Sequence, residues 1–174
     1  MNISGVKPVR QRTNWTCGVG ALRTVFHFYS VNVSEKELCT IGVIGEEGTG
    51  FSTMRMLARE YGFSFWATSN GNINKVKRWL SKNIPVLVCW QLGTPNGKNG
   101  HYSVITGIDD RFVTIADPSN YMEDELGKFA ITKKMTIKKF VKHWFEVDDG
   151  ITFKKWYAVI RPKLNERQRK TKHH

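Results

Sequence analysis

A chain of 174 residues with 40% apolar residues is long enough to bury one good core, and its formal net charge is +12. No stretch reaches the roughly 18 apolar residues that span a bilayer, and MNISGVKPVR has no hydrophobic core of a secretory signal. The three cysteines, Cys17, Cys39 and Cys89, form neither a C-x-x-C zinc pair nor a disulfide framework, which predicts a reducing, cytoplasmic setting.

Along the chain, Leu22, Val25, Phe26 and Tyr29 follow Cys17 at the i, i+3, i+4, i+7 spacing of an amphipathic helix. SEKELC offers Ser34 as N-cap with Glu37 three residues on, a capping box for a second helix. IGVIGEEGTG reads as a loop and lacks the Lys-Ser/Thr ending of a phosphate loop. Met54, Leu57, Ala58 and Tyr61 predict a third helix, stopped at Gly62. FSFWAT is strand-like, SNGN a turn, and Ile73, Val76 and Leu80 mark a further helix. IPVLVCW is a continuous apolar run that suits a central strand covered on both faces. QLGTPNGKNG is a loop, and HYSVITGI and RFVTIA form a hairpin around Asp109 and Asp110. DPSNYMEDELG is another loop. Ile137, Phe140, Val141 and Trp144 predict a last helix capped by Thr136, and KKWYAVIRP closes as a strand. Helices first and mostly antiparallel strands after them argue for an α+β fold, a single domain over residues 1–160. Residues 161–174 read as a flexible basic tail. The positive charge, which also includes Lys133, Lys134, Lys138 and Lys139, suits an acidic partner for this C-terminal part. The interleaved aromatic and basic strand pattern of single-strand nucleic-acid binders is absent.

Four residues carry candidate chemistry. Cys17 stands where a helix begins, where open N–H groups and the helix dipole favour a thiolate. Gly18 beside it takes away side-chain bulk, so a substrate carbonyl can approach. Taken alone, Cys17 fits a small buried apolar residue at least as well. His101 opens a strand behind a flexible loop, at the rim of a sheet, and is placed either as a base or as a hydrogen-bonded surface histidine. His27 and His143 lie within helices and lack that setting. Asp117 ends the strand paired with that of His101 and can orient its imidazole, or can simply start an Asp-Pro turn. Gln11 can supply an amide N–H to an oxyanion, or be an exposed polar residue.

Together these residues have order and spacing: Gln-x5-Cys-Gly in QRTNWTCG, Gly-His-Tyr in GHYSVI, and Asp-Pro in ADPSN. In this the sequence resembles the double-glycine leader peptidases. These are papain-like cysteine peptidases found at the N-terminus of bacteriocin-exporting ABC transporters and as stand-alone proteins. The resemblance covers roughly residues 6 to 122. It implies a papain-like fold, with an N-terminal helical part packed on a C-terminal, mostly antiparallel sheet. It implies Cys17 as nucleophile, His101 as base, Asp117 as its orienting acid and Gln11 in the oxyanion hole, with no metal and no cofactor. The expected substrate is a peptide or protein, cleaved through an acyl-enzyme. The same residues would serve a deamidase or a transferase, and a non-catalytic module binding through the basic surface is a further alternative. Trp15, Gly18, Gly93 and Gly100 are the expected cleft-lining residues. The chain departs from the family at Thr16, where an acidic residue usually precedes the cysteine. It shows nothing like the membrane or ATPase parts of a transporter. The basic segment from about Phe129 onward lies outside the motif.

Overall fold

The computed structural model describes residues 1–97, 100–119, 132–148 and 150–163. The first helix, α1 (Cys17–Phe28), buries Leu22, Val25 and Phe26 completely. Its apolar stripe is the one the spacing predicts, and it packs chiefly on the third sheet strand. Next comes α2 (Glu35–Gly42), where the Ser34 side chain accepts a hydrogen bond from the Glu37 N–H. α3 (Phe51–Glu60) buries Met54, Leu57 and Ala58 and ends before Gly62, whose φ of +79° provides the left-handed turn. β1 (Phe63–Thr68) and α4 (Ile73–Leu80) follow.

The sheet is completed by β2 (Val86–Gln91), β3 (Gly100–Ile108), β4 (Phe112–Ala116), β5 (Thr132–Thr136) and, after α5 (Ile137–His143), β8 (Tyr157–Pro162). Its order is β1-β8-β2-β3-β4-β5, and every pairing is antiparallel. A separate two-stranded ribbon pairs β6 (Phe145–Asp148) with β7 (Ile151–Lys154). β2 is buried along its whole length. Leu87 and Cys89 face a core made with α1, α2 and α3, while Val86, Val88 and Trp90 face a second core with α4 and α5. This explains its uninterrupted apolar sequence, since both faces of the strand are covered.

The fold is α+β as expected, and helices cover both faces of the sheet, as the apolar run of β2 predicts. It differs from the expectation in two places. Three strands had no sequence signal. β5 is an edge strand reading TKKMT with only partial burial, and β6 and β7 are four-residue strands of a mostly exposed ribbon. At the other end, Arg161 and Pro162, placed in the expected tail, pair with Ser64 and Phe63 and extend β8. The remainder of the tail, residues 164–174, lies outside the described residues, as do Lys98 and Asn99 of the loop before β3 and residues 120–131.

One glycine fixes the approach of α1 to the N-terminal segment. A Cβ at Gly20 would lie 2.6 Å from the Pro118 Cβ and 3.2 Å from the Val9 carbonyl oxygen. Gly20→Ala is expected to cost about 1–3 kcal/mol through overpacking. Urea unfolding monitored by tryptophan fluorescence reads this as an earlier midpoint at unchanged slope.

Candidate active site

Cys17 is the first residue of α1, and the Thr16 side chain before it does not cap the helix. His101 and the backbone N–H groups of Tyr102 and Gly18 act on the Cys17 sulfur and favour its thiolate. Burial works against a thiolate here. The hydrogen bond and charge of His101, with the two N–H groups, outweigh it and hold the thiol below its ordinary value.

His101 is buried at the start of β3, and its Nε2 lies 2.6 Å from the Asp117 Oδ1. That bond leaves Nδ1 for the sulfur. Antiparallel pairing of β3 with β4 makes this contact. Val104 lies opposite Ala116, so the residue that follows β4 returns to the end of the hairpin where β3 begins. Burial alone would lower the His101 pKa. The hydrogen bonds and charges of Asp117 and Cys17 raise it instead to about 9.

Asp117 has no exposed surface. Its Oδ1 also accepts from the Ser119 N–H at 3.0 Å, and its Oδ2 accepts from the Lys133 ammonium on β5. Burial would raise its pKa, but the hydrogen bond and charge of His101, followed by Lys133, bring it down to about 2. The acid is therefore fully ionised and fixed on both oxygens.

Gln11 is buried too, at 1% exposure, rather than an exposed polar residue. Its backbone N–H donates to the Pro118 carbonyl at 2.8 Å, which ties it to the segment carrying Asp117. Its side-chain Nε2 donates to the Thr13 carbonyl at 2.7 Å. Among the described residues, the Oε1 has no hydrogen-bond partner.

A cleft of about 380 Å³ opens over Cys17, walled by Trp15, Gly48, Phe51, Gly100 and Glu146 among others. Two of the expected lining residues, Trp15 and Gly100, are in it. Gly18 and Gly93 are not part of this lining. A Cβ at Gly18 would lie 2.8 Å from the Thr49 Cβ and 2.9 Å from the Met54 Cε, so the missing bulk makes room for these two side chains. Gly93 is exposed, with open space around it. Gly100 has its own packing reason to be glycine, because the Glu146 carboxylate occupies the place a Cβ would take. Beneath it, the Cys89 thiol donates to the Glu146 Oε2 at 3.1 Å. Burial and then the Glu146 carboxylate push the Cys89 thiol well up, so this second cysteine of the cleft is an inert neutral donor.

Lys133, Glu146 and the Tyr102 N–H had no sequence signal. Lys133 stands in a polar edge strand, Glu146 in a ribbon without apolar periodicity, and a backbone N–H has no residue type. Among the described residues, no group of acidic, histidine or cysteine side chains could hold a metal ion. Nor is any helix among them long and apolar enough to cross a membrane.

The model of the Peptidase C39 family matches residues 5–148. The match thus runs well past residue 122 and takes in β5, α5 and β6, part of the basic segment that the motif itself did not reach. Uncharacterized proteins of Methanothermobacter marburgensis and Methanothermobacter thermautotrophicus are each 32% identical over 136 residues, 76% of this chain and 81% of the relative. Among solved structures, the peptidase domain of Streptococcus ComA, a bi-functional ABC transporter of a quorum-sensing pathway, is similar with a TM-score of 0.70. It is 20% identical, over 91% of this chain and 99% of the domain. A double glycine motif protease from an AMS/PCAT transporter, in complex with its leader peptide, gives 0.64 at 18% identity, over 93% and 95%. A C39-like peptidase from Bacillus anthracis gives 0.65 at 16% identity, over 94% and 98%. The chain belongs to the Peptidase C39 family and is a cysteine peptidase.

Proposed function

We propose that this peptidase, acting as one domain over residues 1–160, cleaves a peptide bond with Cys17, His101 and Asp117 as its triad and Gln11 in its oxyanion hole. The observation that carries the reading is the unbroken chain of contacts from the sulfur through the imidazole to a buried, fully ionised carboxylate. His101, as imidazolium, keeps Cys17 as thiolate. The thiolate attacks the scissile carbonyl carbon and forms a C–S bond, and the carbonyl oxygen becomes an oxyanion. The second N–H of the Gln11 amide and the Cys17 backbone N–H stabilise it. His101 then gives its proton to the leaving amine as the C–N bond breaks. Neutral His101 next takes a proton from water, which attacks the thioester and releases the acid and the thiolate. Trp15 and Gly100 line the cleft that receives the chain. A peptide substrate is supported by the leader peptide bound to one structural neighbour. Family membership favours hydrolysis over deamidation or amine transfer, which would use the same residues.

The test is the pH dependence of kcat/KM. The competent state is thiolate with imidazolium, so the rate falls on the acid side as Cys17 takes up a proton. On the alkaline side it falls as His101 loses one, with an apparent midpoint of about 9 that belongs to the coupled pair. A profile still rising through pH 10 would remove the ion pair from the mechanism. Stability carries the same signs. His101, raised from 6.5, contributes fully below pH 6.5, and that contribution is lost as pH rises through about 9. Asp117, lowered from 3.8, contributes above pH 3.8 and loses that contribution as pH falls through about 2.

Lys133 shares the charge of Asp117 with His101. Lys133→Met leaves the whole carboxylate charge on the imidazolium, so the alkaline limb is expected to move upward by about half a pH unit. The same pH series measures it, and a shift downward would count against Asp117 as the orienting acid.

A further inference from the structure

A single buried carboxylate holds both ends of the segment that joins Gln11 to Cys17. Glu35, the first residue of α2, is 4% exposed. The N–H of Arg12, the residue after Gln11, donates to its two oxygens at 3.0 and 3.2 Å. The hydroxyl of Thr16, the residue before Cys17, donates to its Oε1 at 2.8 Å. Thr16 in turn accepts from the Thr13 N–H at 3.2 Å, and the carbonyl of that same Thr13 accepts from the Gln11 amide at 2.7 Å. The countercharge is Arg23 of α1, whose Nη1 lies 3.5 Å from the Oε2 and whose Nε donates to the Val33 carbonyl at 2.9 Å.

A buried carboxylate is costly unless its oxygens are satisfied, and a merely structural position could be filled by packed apolar groups instead. Here the satisfied oxygens are spent on the loop between two site residues. We propose that Glu35 is a positioning residue: it fixes Gln11 relative to Cys17, so that the side-chain and backbone N–H donors converge on one oxyanion. The proposal rests on the oxyanion role of Gln11 stated above. Glu35 touches neither sulfur nor imidazole in this network, so it sets the geometry of oxyanion stabilisation without setting the reactivity of the thiol.

That separation makes it testable on the full chain. Acylation of Cys17 by p-nitrophenyl acetate passes through a tetrahedral oxyanion, whereas alkylation by iodoacetamide is a displacement that forms none. Acylation is read from the p-nitrophenolate burst and alkylation from the mass of the Cys17 peptide. Glu35→Gln keeps the volume but replaces one acceptor oxygen by an NH2 donor, set against the Arg12 N–H and the Arg23 guanidinium. It is expected to slow acylation about tenfold or more while the alkylation rate stays close to that of the parent. Thr16→Val removes the hydroxyl's contacts with Glu35 and with Thr13 but leaves the Arg12 N–H on the carboxylate, and should slow acylation less, with Thr16→Ser restoring it. This pair carries the test if Glu35→Gln does not fold. Parallel loss of both reactions would show a structural role and overturn the proposal, as would no loss of either. Gln11→Ala separates the two levels. If it slows acylation and the Glu35 and Thr16 variants do not, only the positioning role falls. If Gln11→Ala leaves acylation unchanged, the oxyanion reading falls and the role of Glu35 with it.

Discussion

His101→Ala is expected to lower kcat/KM for peptide hydrolysis by about 10⁴-fold at neutral pH. The size follows from two losses at once. The leaving amine loses its proton donor, and Cys17 loses the hydrogen bond and charge that offset its burial. Burial is the largest influence on this thiol and acts to raise it. What remains without His101 is the pair of N–H groups from Tyr102 and Gly18. The thiol should then titrate higher than in the parent and react slowly at pH 7. Iodoacetamide labelling of the Cys17 peptide across pH measures this directly. Labelling of the variant at pH 7 as fast as the parent would mean that the imidazole does not hold the thiolate. Asp117→Asn should produce a weaker form of the same defect, because it leaves the imidazole in place without its fixed negative partner.

Gln11→Glu and Gln11→Ala are each expected to lower kcat by about 10²–10³-fold with little change in KM. The glutamate keeps the buried shape but removes the N–H donors and brings an acceptor towards a developing negative charge. The alanine removes donor and volume together, and leaves the Thr13 carbonyl without the amide it now receives. Agreement between the two variants points to the lost donor, since their packing consequences differ. Steady-state hydrolysis of an internally quenched peptide gives kcat and KM, and circular dichroism checks that the fold persists. A rise in KM at constant kcat would instead make Gln11 a substrate-binding group.

Much of the fold was readable in the chain because its signals are local. The stripe of Leu22, Val25 and Phe26, the Ser34 and Thr136 caps and the uninterrupted apolar run of β2 each encode an element within a few residues. β5 was not readable. Its TKKMT has no alternating apolar face, and it becomes a strand only because β4 offers it an edge. The same holds for β6 and β7, which stabilise each other. For the candidate site, the residue types and their order in QRTNWTCG, GHYSVI and ADPSN single out Gln11, Cys17, His101 and Asp117. The lining of the cleft was less accessible. Gly18 was expected there for lacking a side chain, but what a glycine admits depends on its neighbours.

The sequence by itself determined the helices, the central strands and the order of Gln11, Cys17, His101 and Asp117, since periodicity, caps and motif order are properties of short segments. Only the tertiary structure decided what surrounds them. Antiparallel registry brought Asp117 back to His101, and the edge strand placed Lys133 against Asp117. Folding of α2 against α1 carried Glu35 to Thr16, whose place before Cys17 the family usually gives to an acid. Contacts between residues 16 to 23 positions apart depend on how whole elements pack. Local pattern does not carry that information.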